Sequence, residues 1–215
     1  MKRDIHHQLN EWKKSARRKP LVLNGARQVG KTYSLKYFGE RAYKNTAYLN
    51  FEKDEKLAQY FERTLDPKQL LKILSIHTEI EIEPHQTLLV LDEIQECPKA
   101  LNSLKYFCEE ANEYHVIAAG SLLGVKTAGE KGFPVGKVNF LHMYPLTFFE
   151  FLDALGQEKT RVFLEEYSTY ESIPNPMHEK LIQFLKLYFF IGGMPEAVAE
   201  YAKNDKDLFQ QISQK

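Results

Sequence analysis

The chain has 215 residues, enough for one sizeable α/β domain with a small additional region. Hydrophobic residues make up 43% of it and charged residues 27%, and these values exclude the composition that is typical of disordered chains. Lys and Arg total 29, as do Asp and Glu, so the global charge gives no reason to expect a nucleic acid or a membrane as a partner.

Apolar residues at helix or strand spacing, separated by turn residues, predict strands that alternate with helices. The strands are short apolar runs, as expected for a parallel sheet that is covered on both faces. In chain order the prediction is a helix at 5–12, a strand at 20–24, a helix at 32–38, a strand at 46–51, helices at 55–64 and 67–77, a strand at 87–91, a helix at 98–112, and strands at 115–119 and 137–141.

The second half of the chain differs from the first in its composition. Residues 121–138 contain four glycines and one proline and predict a mobile loop. Residues 146–215 have a mostly helical pattern, which we interpret as a lid or as the start of a second domain. The final residues carry no cap or stop signal, so we expect the chain to end within a larger architecture.

Residues 25–32 read GARQVGKT and fit the phosphate-binding pattern G-x-x-x-x-G-K-[ST] between a predicted strand and a predicted helix. Gly25 and Gly30 let the backbone turn so that its N–H groups face a β-phosphate. Lys31 supplies a charge for the β- and γ-oxygens, and Thr32 supplies a hydroxyl for Mg²⁺. The predicted nucleotide-binding residues are Gly25, Ala26, Arg27, Gln28, Val29, Gly30, Lys31, Thr32 and Tyr33.

Asp92 and Glu93 follow the apolar run 88–91, at the end of a strand where ligands bind in open α/β sheets. We predict that Asp92 holds Mg²⁺ together with Thr32, and that Glu93 orients or deprotonates the water that attacks the γ-phosphate. The alternative is that both acids cap the next helix or face solvent. The pair favours hydrolysis of ATP.

Ser121 comes directly after the fourth strand and is a candidate sensor of the γ-phosphate, although serine also commonly completes a turn at such a junction. Arg17, Arg18, Arg27 and Lys137 are available to stabilise the transition state, and their spacing singles out none of them. A neighbouring subunit is a further source, which leaves an oligomer open. The predicted catalytic residues are Lys31, Glu93 and Ser121.

These motifs resemble the AAA-type P-loop ATPases of bacteria and archaea that join an N-terminal ATPase domain to a C-terminal domain of uncharacterised function. The resemblance rests on GARQVGKT, LLVLDEIQECP, AAGSLLG, VGKVNFLHMYPLTFFEF and GGMPE, in that order, and covers most of the chain. It implies an α/β fold of the additional-strand type, with five parallel strands in the order 5-1-4-3-2. It also implies that Lys31, Thr32, Asp92, Glu93 and Ser121 have the roles given above, toward ATP and Mg²⁺ as cofactors. We predict that the ATPase domain spans residues 1–145.

The chain departs from this family in two respects. It has Gly136-Lys137 where family members often have Gly-Arg, and lysine lacks the planar fork of arginine. Family members are also typically longer, so we expect a C-terminal domain that is absent from this chain.

Residues 13–19, KKSARRK, are the one basic cluster suited to nucleic-acid phosphates, and a solvated helix end is the alternative interpretation. Residues 1–20 lack the apolar stretch of a signal peptide, and no window reaches the roughly 20 apolar residues that span a bilayer. Cys97 and Cys108 show no metal-ligand spacing. These features predict a cytoplasmic protein with reduced thiols and no membrane partner.

The leading hypothesis is a Mg²⁺-dependent ATPase whose hydrolysis drives a conformational change in an attached domain or a partner. The alternative is a nucleotide-gated binding module with slow hydrolysis, acting on a protein or a nucleic acid. A GTPase or a small-molecule kinase is disfavoured, because the chain lacks the Asn-Lys-x-Asp guanine signature and the Asp-Glu pair suits water as the nucleophile.

Overall fold

A computed structural model of the protein describes residues 1–121, 134, 136–167 and 172–204. Most of the glycine-rich stretch predicted as a mobile loop lies outside these residues, and so does the end of the helical pattern from 205 on. The backbone contacts divide the chain into two compact units. One unit contains Ile5–Met143, and the other contains Met1–Asp4 with the described residues from Tyr144 on.

The larger unit is a five-stranded parallel sheet with helices. Its elements are α1 (Ile5–Lys14), β1 (Leu21–Gly25), α2 (Lys31–Ala42), β2 (Asn45–Asn50), α3 (Lys56–Arg63), α4 (Pro67–Thr78), β3 (Thr87–Asp92), a 3-10 turn (Ile94–Glu96), α5 (Pro98–Glu110), β4 (His115–Gly120) and β5 (Asn139–Met143). The strand order is β2-β3-β4-β1-β5, and every pairing is parallel. This order confirms the predicted one, counted from the other edge.

Two apolar clusters cover the two faces of the sheet. Side chains alternate along a strand, so Leu21 and Leu23 pack into the cluster that contains residues of α1 and α2, while Val22 packs into the cluster of α3, α4 and α5. The central strands β1, β3 and β4 are buried at every position, which explains their unbroken apolar sequence. Each buried leucine or phenylalanine contributes about 1.5–3 kcal/mol to the free energy of folding.

Strand β5 begins two residues later than the predicted range of 137–141. In the turn before it, the Lys137 amide donates to the Pro134 carbonyl at 3.0 Å. Burial then alternates along the strand, with Phe140 and His142 exposed, so the sequence lacks the apolar run that marks the central strands. The sequence pattern therefore located this strand less accurately than the others.

The described part of the second unit is helical, with α6 (Phe148–Ala154), α7 (Glu158–Glu166), α8 (Asn175–Ile191) and α9 (Pro195–Asn204). Helix α6 starts at a capping box, in which the Thr147 hydroxyl accepts from the Glu150 amide and the Glu150 carboxylate accepts from the Thr147 amide. Glu150 is buried and also pairs with Arg3 at 3.0 Å. The apolar core of this unit is Leu146, Phe151, Leu187 and Val198.

Two of the motifs that carry the family resemblance meet inside this second unit. The amide of Leu146, in PLTFFEF, donates to the carbonyl of Gly193, in GGMPE, at 2.6 Å. A Cβ atom at position 193 would lie 2.4 Å from the Leu146 carbonyl oxygen, so only glycine allows this approach. The contact gives a structural reason for the glycine at position 193.

Candidate active site

The loop of residues 25–30 turns sharply between β1 and α2. Gln28 has a φ of 64° and Gly30 a φ of 92°, both in the left-handed region. Gly25 lies beside Met143 of β5, and a Cβ atom at position 25 would be 2.4 Å from the Met143 carbonyl oxygen. No described side chain caps the start of α2. The N–H groups in the first turn of a helix face its amino end, and here they have no side-chain cap.

Lys31 lies inside the curve of this loop. Its ammonium group donates to the carbonyl oxygens of Gly25 at 3.0 Å and Ala26 at 2.8 Å, and the side chain is buried. Burial lowers the pKa of Lys31 from its ordinary value, while the negative charges of Glu93 and Asp92 act in the opposite direction. The loop thus holds a buried positive charge close to two carboxylates.

Asp92, at the end of β3, is fully buried and accepts three hydrogen bonds. Its Oδ2 atom accepts from the Thr32 hydroxyl at 2.7 Å and from the Tyr48 hydroxyl at 2.6 Å. Its Oδ1 atom accepts from the Glu93 amide at 3.1 Å. The two residues predicted to bind Mg²⁺, Thr32 and Asp92, are therefore in direct contact.

Glu93 has a φ of 53°, an unusual backbone conformation for a residue with a side chain. It is half-buried, and its Oε2 atom accepts from the Gln95 side-chain amide at 2.7 Å. Neither carboxylate of the pair caps helix α5, which begins after Cys97 without a side-chain cap among the described residues. Asp92 is also buried, so it is not a solvated acid, whereas Glu93 is partly exposed.

The remaining predicted residues lie at the same edge of the sheet. Ser121 follows β4, whose last residue Gly120 is aligned with Asn24 of β1, directly before the loop. Ala26, Arg27 and Gln28 are exposed, whereas Val29 is buried in the core. The ring of Tyr33 is 55% exposed and stacks on Tyr37 with 6.3 Å between ring centroids.

Of the four basic residues considered for the transition state, Arg27 alone belongs to the loop. Arg17 and Arg18 precede β1, and Lys137 precedes β5, so they lie toward the amino edge of the sheet. Arg18 is buried, donates to the Asn112 carbonyl and lies over the Trp12 ring. Lys137 forms an ion pair with Glu109 at 2.8 Å. Arg18 is thus held inside the fold, and Lys137 takes part in a partly exposed ion pair.

Tyr48 and Asn50 also lie at this site and were not predicted from the sequence. Both lie on β2, where Asn50 is aligned with Asp92 of the neighbouring strand, and the Asn50 side-chain amide donates to the Tyr48 hydroxyl oxygen at 3.2 Å. Part of the signal was present in the sequence, although the register of the two strands was not. Residues two apart on a strand share a face, and the predicted strand order places the strand of Tyr48 beside that of Asp92.

The parallel sheet, the loop and the buried carboxylate together define a P-loop nucleotide-binding fold. The family described as the AAA domain matches residues 17–152. The chain belongs to this family. Membership supports a function of the nucleotide-binding ATPase type. None of the curated proteins that were compared matches the chain.

The chain is also similar, at low sequence identity, to solved structures. Drosophila ORC bound to DNA has a TM-score of 0.54 and 18% identity, covering 97% of this chain and 64% of that one. Aeropyrum pernix ORC1 in complex with DNA has a TM-score of 0.48 and 16% identity, covering 98% and 62%. AMPPCP-bound DnaA from Aquifex aeolicus has a TM-score of 0.46 and 13% identity, covering 97% and 62%. The chain thus spans less than two thirds of each of these proteins.

None of the helices in the described part of the chain is both long and apolar enough to cross a bilayer.

Proposed function

We propose that this AAA domain binds ATP with Mg²⁺ and hydrolyses it, and that hydrolysis drives a conformational change in an attached domain or a partner. The observation that carries the proposal is the hydrogen bond between Thr32 Oγ1 and Asp92 Oδ2 at 2.7 Å. It joins the start of the helix after the phosphate loop to the end of β3, beside Glu93. Cation ligand, phosphate loop and candidate base thus lie at one edge of the sheet.

The chemistry of these side chains fits the proposed cofactors. Mg²⁺ prefers oxygen ligands, and the Thr32 hydroxyl and the Asp92 carboxylate supply them. A triphosphate needs N–H groups and a positive charge, and the start of α2 and Lys31 supply these. When bound, Mg²⁺ neutralises negative charge on the phosphate oxygens.

Each residue then has a separate task in the hydrolysis. Lys31 exchanges the carbonyls of Gly25 and Ala26 for phosphate oxygens. Glu93 orients the attacking water and accepts its proton while the water oxygen bonds to the γ-phosphorus and the bond to the ADP oxygen breaks. Ser121, at the end of β4, hydrogen-bonds to the γ-phosphate and senses its loss.

The alternative proposal, a nucleotide-gated binding module with slow hydrolysis, is supported by the contact between Glu93 and Gln95. The Gln95 amide donates to Glu93 Oε2 at 2.7 Å. This oxygen already accepts a hydrogen bond and is therefore less able to accept a proton from the attacking water. Turnover would then be slow until a partner releases the glutamate. Measuring turnover with and without a partner separates the two proposals.

A nucleic acid is a candidate partner for either proposal. A Drosophila ORC structure of the same fold is bound to DNA. In the basic segment of this chain, Lys14 and Arg17 are exposed and suited to phosphates. Lys13 and Arg18 instead donate to the carbonyls of Ala42 and Asn112, so only part of the segment is available.

The proposal is tested by Mg²⁺-dependent phosphate release from ATP and GTP, measured beside nucleotide binding. Lys31→Ala should lose binding and turnover, while Glu93→Gln should bind ATP and lose at least about 100-fold of the turnover. Lys44→Ala and Glu83→Gln are matched controls, because these residues form an exposed ion pair before β2 and β3. ATP binding without turnover in the unmodified chain would support the alternative, and no nucleotide binding at all would contradict both proposals.

A further inference from the structure

Tyr48 makes a contact that the proposed hydrolysis does not use. Its hydroxyl lies 2.6 Å from Asp92 Oδ2, the same oxygen that accepts from Thr32 at 2.7 Å. Strands β2 and β3 are parallel neighbours, with Tyr48 aligned with Val90 and Asn50 with Asp92. A second hydroxyl donor on the proposed Mg²⁺ ligand thus comes from a different element than the phosphate loop.

The Tyr48 hydroxyl is a hydrogen-bond donor to the carboxylate. A carboxylate only accepts, so the hydroxyl proton of Tyr48 lies between its oxygen and Asp92 Oδ2. The Asn50 amide donates to the Tyr48 oxygen at 3.2 Å, which leaves the hydroxyl proton for Asp92. The Lys36 ammonium lies 4.5 Å from the centroid of the Tyr48 ring and helps to fix the ring.

The three hydrogen bonds to Asp92 fix its carboxylate group. Oδ2 is held by Thr32 and Tyr48, and Oδ1 is held by the Glu93 amide. Thr32 must also offer its oxygen to a cation, so its hydroxyl alone is a weak constraint on the carboxylate. The Tyr48 hydroxyl, in contrast, is not a proposed cation ligand.

We propose that Tyr48 is a positioning residue for divalent-cation binding, acting through Asp92. This inference rests on the proposed function, because it concerns the same cation. The Tyr48 hydroxyl holds the Asp92 carboxylate in one orientation. Less free energy is then needed to orient this carboxylate when the cation binds. Partners that orient the ligands of a metal typically change its affinity by about 10–100-fold.

Tyr48→Phe removes the hydroxyl and keeps the ring, so it tests the inference with little change in packing. The dissociation constant for ATP is measured in EDTA and then over a series of Mg²⁺ concentrations. Mn²⁺ binding to the ATP complex is followed by electron paramagnetic resonance. We expect the affinity for ATP in EDTA to stay unchanged, and the Mg²⁺ concentration for half-maximal binding to rise about tenfold.

Tyr188→Phe is the matched control, since it removes a tyrosine hydroxyl that donates to the Leu146 carbonyl at 2.8 Å in the helical unit. It should leave the Mg²⁺ dependence unchanged. If Tyr48→Phe does not fold, Tyr48→Met removes the same hydroxyl with a flexible apolar side chain and has the same expected result. In an Asp92→Asn background, Tyr48→Phe should cause no further shift.

An unchanged Mg²⁺ dependence in a folded Tyr48 variant would overturn the inference. An equal loss of ATP affinity with and without Mg²⁺ would also overturn it, because it would show a general structural role. Both results presuppose that the unmodified chain binds ATP with Mg²⁺. Absence of that binding would instead contradict the proposed function.

Discussion

The two edges of the parallel sheet bury polar side chains with opposite electrostatic results. At the carboxyl edge, Asp92 is a fully buried acid that accepts three hydrogen bonds. At the amino edge, His115 begins β4 and is also buried, with its ring nitrogens 2.7 Å from the Tyr43 hydroxyl and 3.4 Å from the nearer ring nitrogen of His85. At the carboxyl edge, hydrogen-bond donors surround the acid Asp92. At the amino edge, basic side chains surround the base His115.

The difference in electrostatics means that the surroundings of Asp92 favour a cation, whereas those of His115 disfavour one. Burial, then the positive charge of Arg18 and the nearby basic side chains of His85 and Lys13, lower the pKa of His115 to about 3, so the imidazole is neutral at physiological pH. A second positive charge would be unfavourable there. A charged or polar cluster is therefore a candidate site only when its electrostatics match a ligand, and in this molecule the carboxyl edge meets that condition.

The largest effect is expected from Gly25→Ala at the carboxyl edge. The added Cβ atom would lie 2.4 Å from the Met143 carbonyl oxygen, so β1 or β5 must shift at the start of the phosphate loop. We expect a loss of about 2–4 kcal/mol in the free energy of unfolding, together with the loss of nucleotide binding. Urea unfolding and ATP titration measure the two effects, and an unchanged ATP affinity would contradict the proposed loop geometry.

A smaller effect is expected at the amino edge, where lowering the pH should reduce the free energy of unfolding through His115. The unfolded chain protonates His115 near pH 6.5, whereas the folded chain resists protonation until about pH 3. The His115 contribution to stability is therefore present above pH 6.5 and is lost as the pH falls toward 3. Urea unfolding at pH 7 and pH 5 measures this loss.

His115→Gln should reduce this pH dependence and cost about 1–3 kcal/mol at pH 7, because the hydrogen bonds to Tyr43 and His85 change. Its ATP affinity should remain that of the unmodified chain. The exposed His178 provides the control variant His178→Gln, which should change neither quantity. A pH dependence that is the same in both variants would refute the role assigned to His115.

The smallest effects are expected from the adjacent residues Arg17 and Arg18. Arg18 is buried and bound to the Asn112 carbonyl, so Arg18→Ala should destabilise the fold by about 1–2 kcal/mol. Arg17 is exposed, and Arg17→Ala should change stability by no more than about 0.5 kcal/mol. Thermal unfolding measures both. Equal destabilisation would show that the basic segment is not divided into buried and exposed parts.

The sequence predicted the sheet well because its central strands are buried on both faces. Apolar runs such as 87–91 that alternate with helices are typical of buried parallel strands, and the strand order followed from the family resemblance. Strand β5 was placed less accurately because its burial alternates, so its side chains carry a weaker signal.

The predicted site residues came from motifs that lie close together in sequence. Thr32 and Asp92 are 60 positions apart, and their contact could be expected only because both motifs have known relative positions in the resembling family. Tyr48 belongs to no such motif, and a tyrosine in a strand is ordinary, so only the register of β2 against β3 revealed its contact with Asp92. The conformation of Glu93 likewise depends on the turn that follows the strand.

The most direct test of the central claim, that Thr32 and Asp92 form one cation site, is a double-mutant cycle. The Mg²⁺ dependence of ATP binding is measured for Thr32→Val, Asp92→Asn and the double variant, with Thr32→Ser as the control that keeps the hydroxyl. We predict that the double variant is little worse than the poorer single variant, with a coupling of about 0.5–3 kcal/mol. Additive effects of the two substitutions would contradict a shared site.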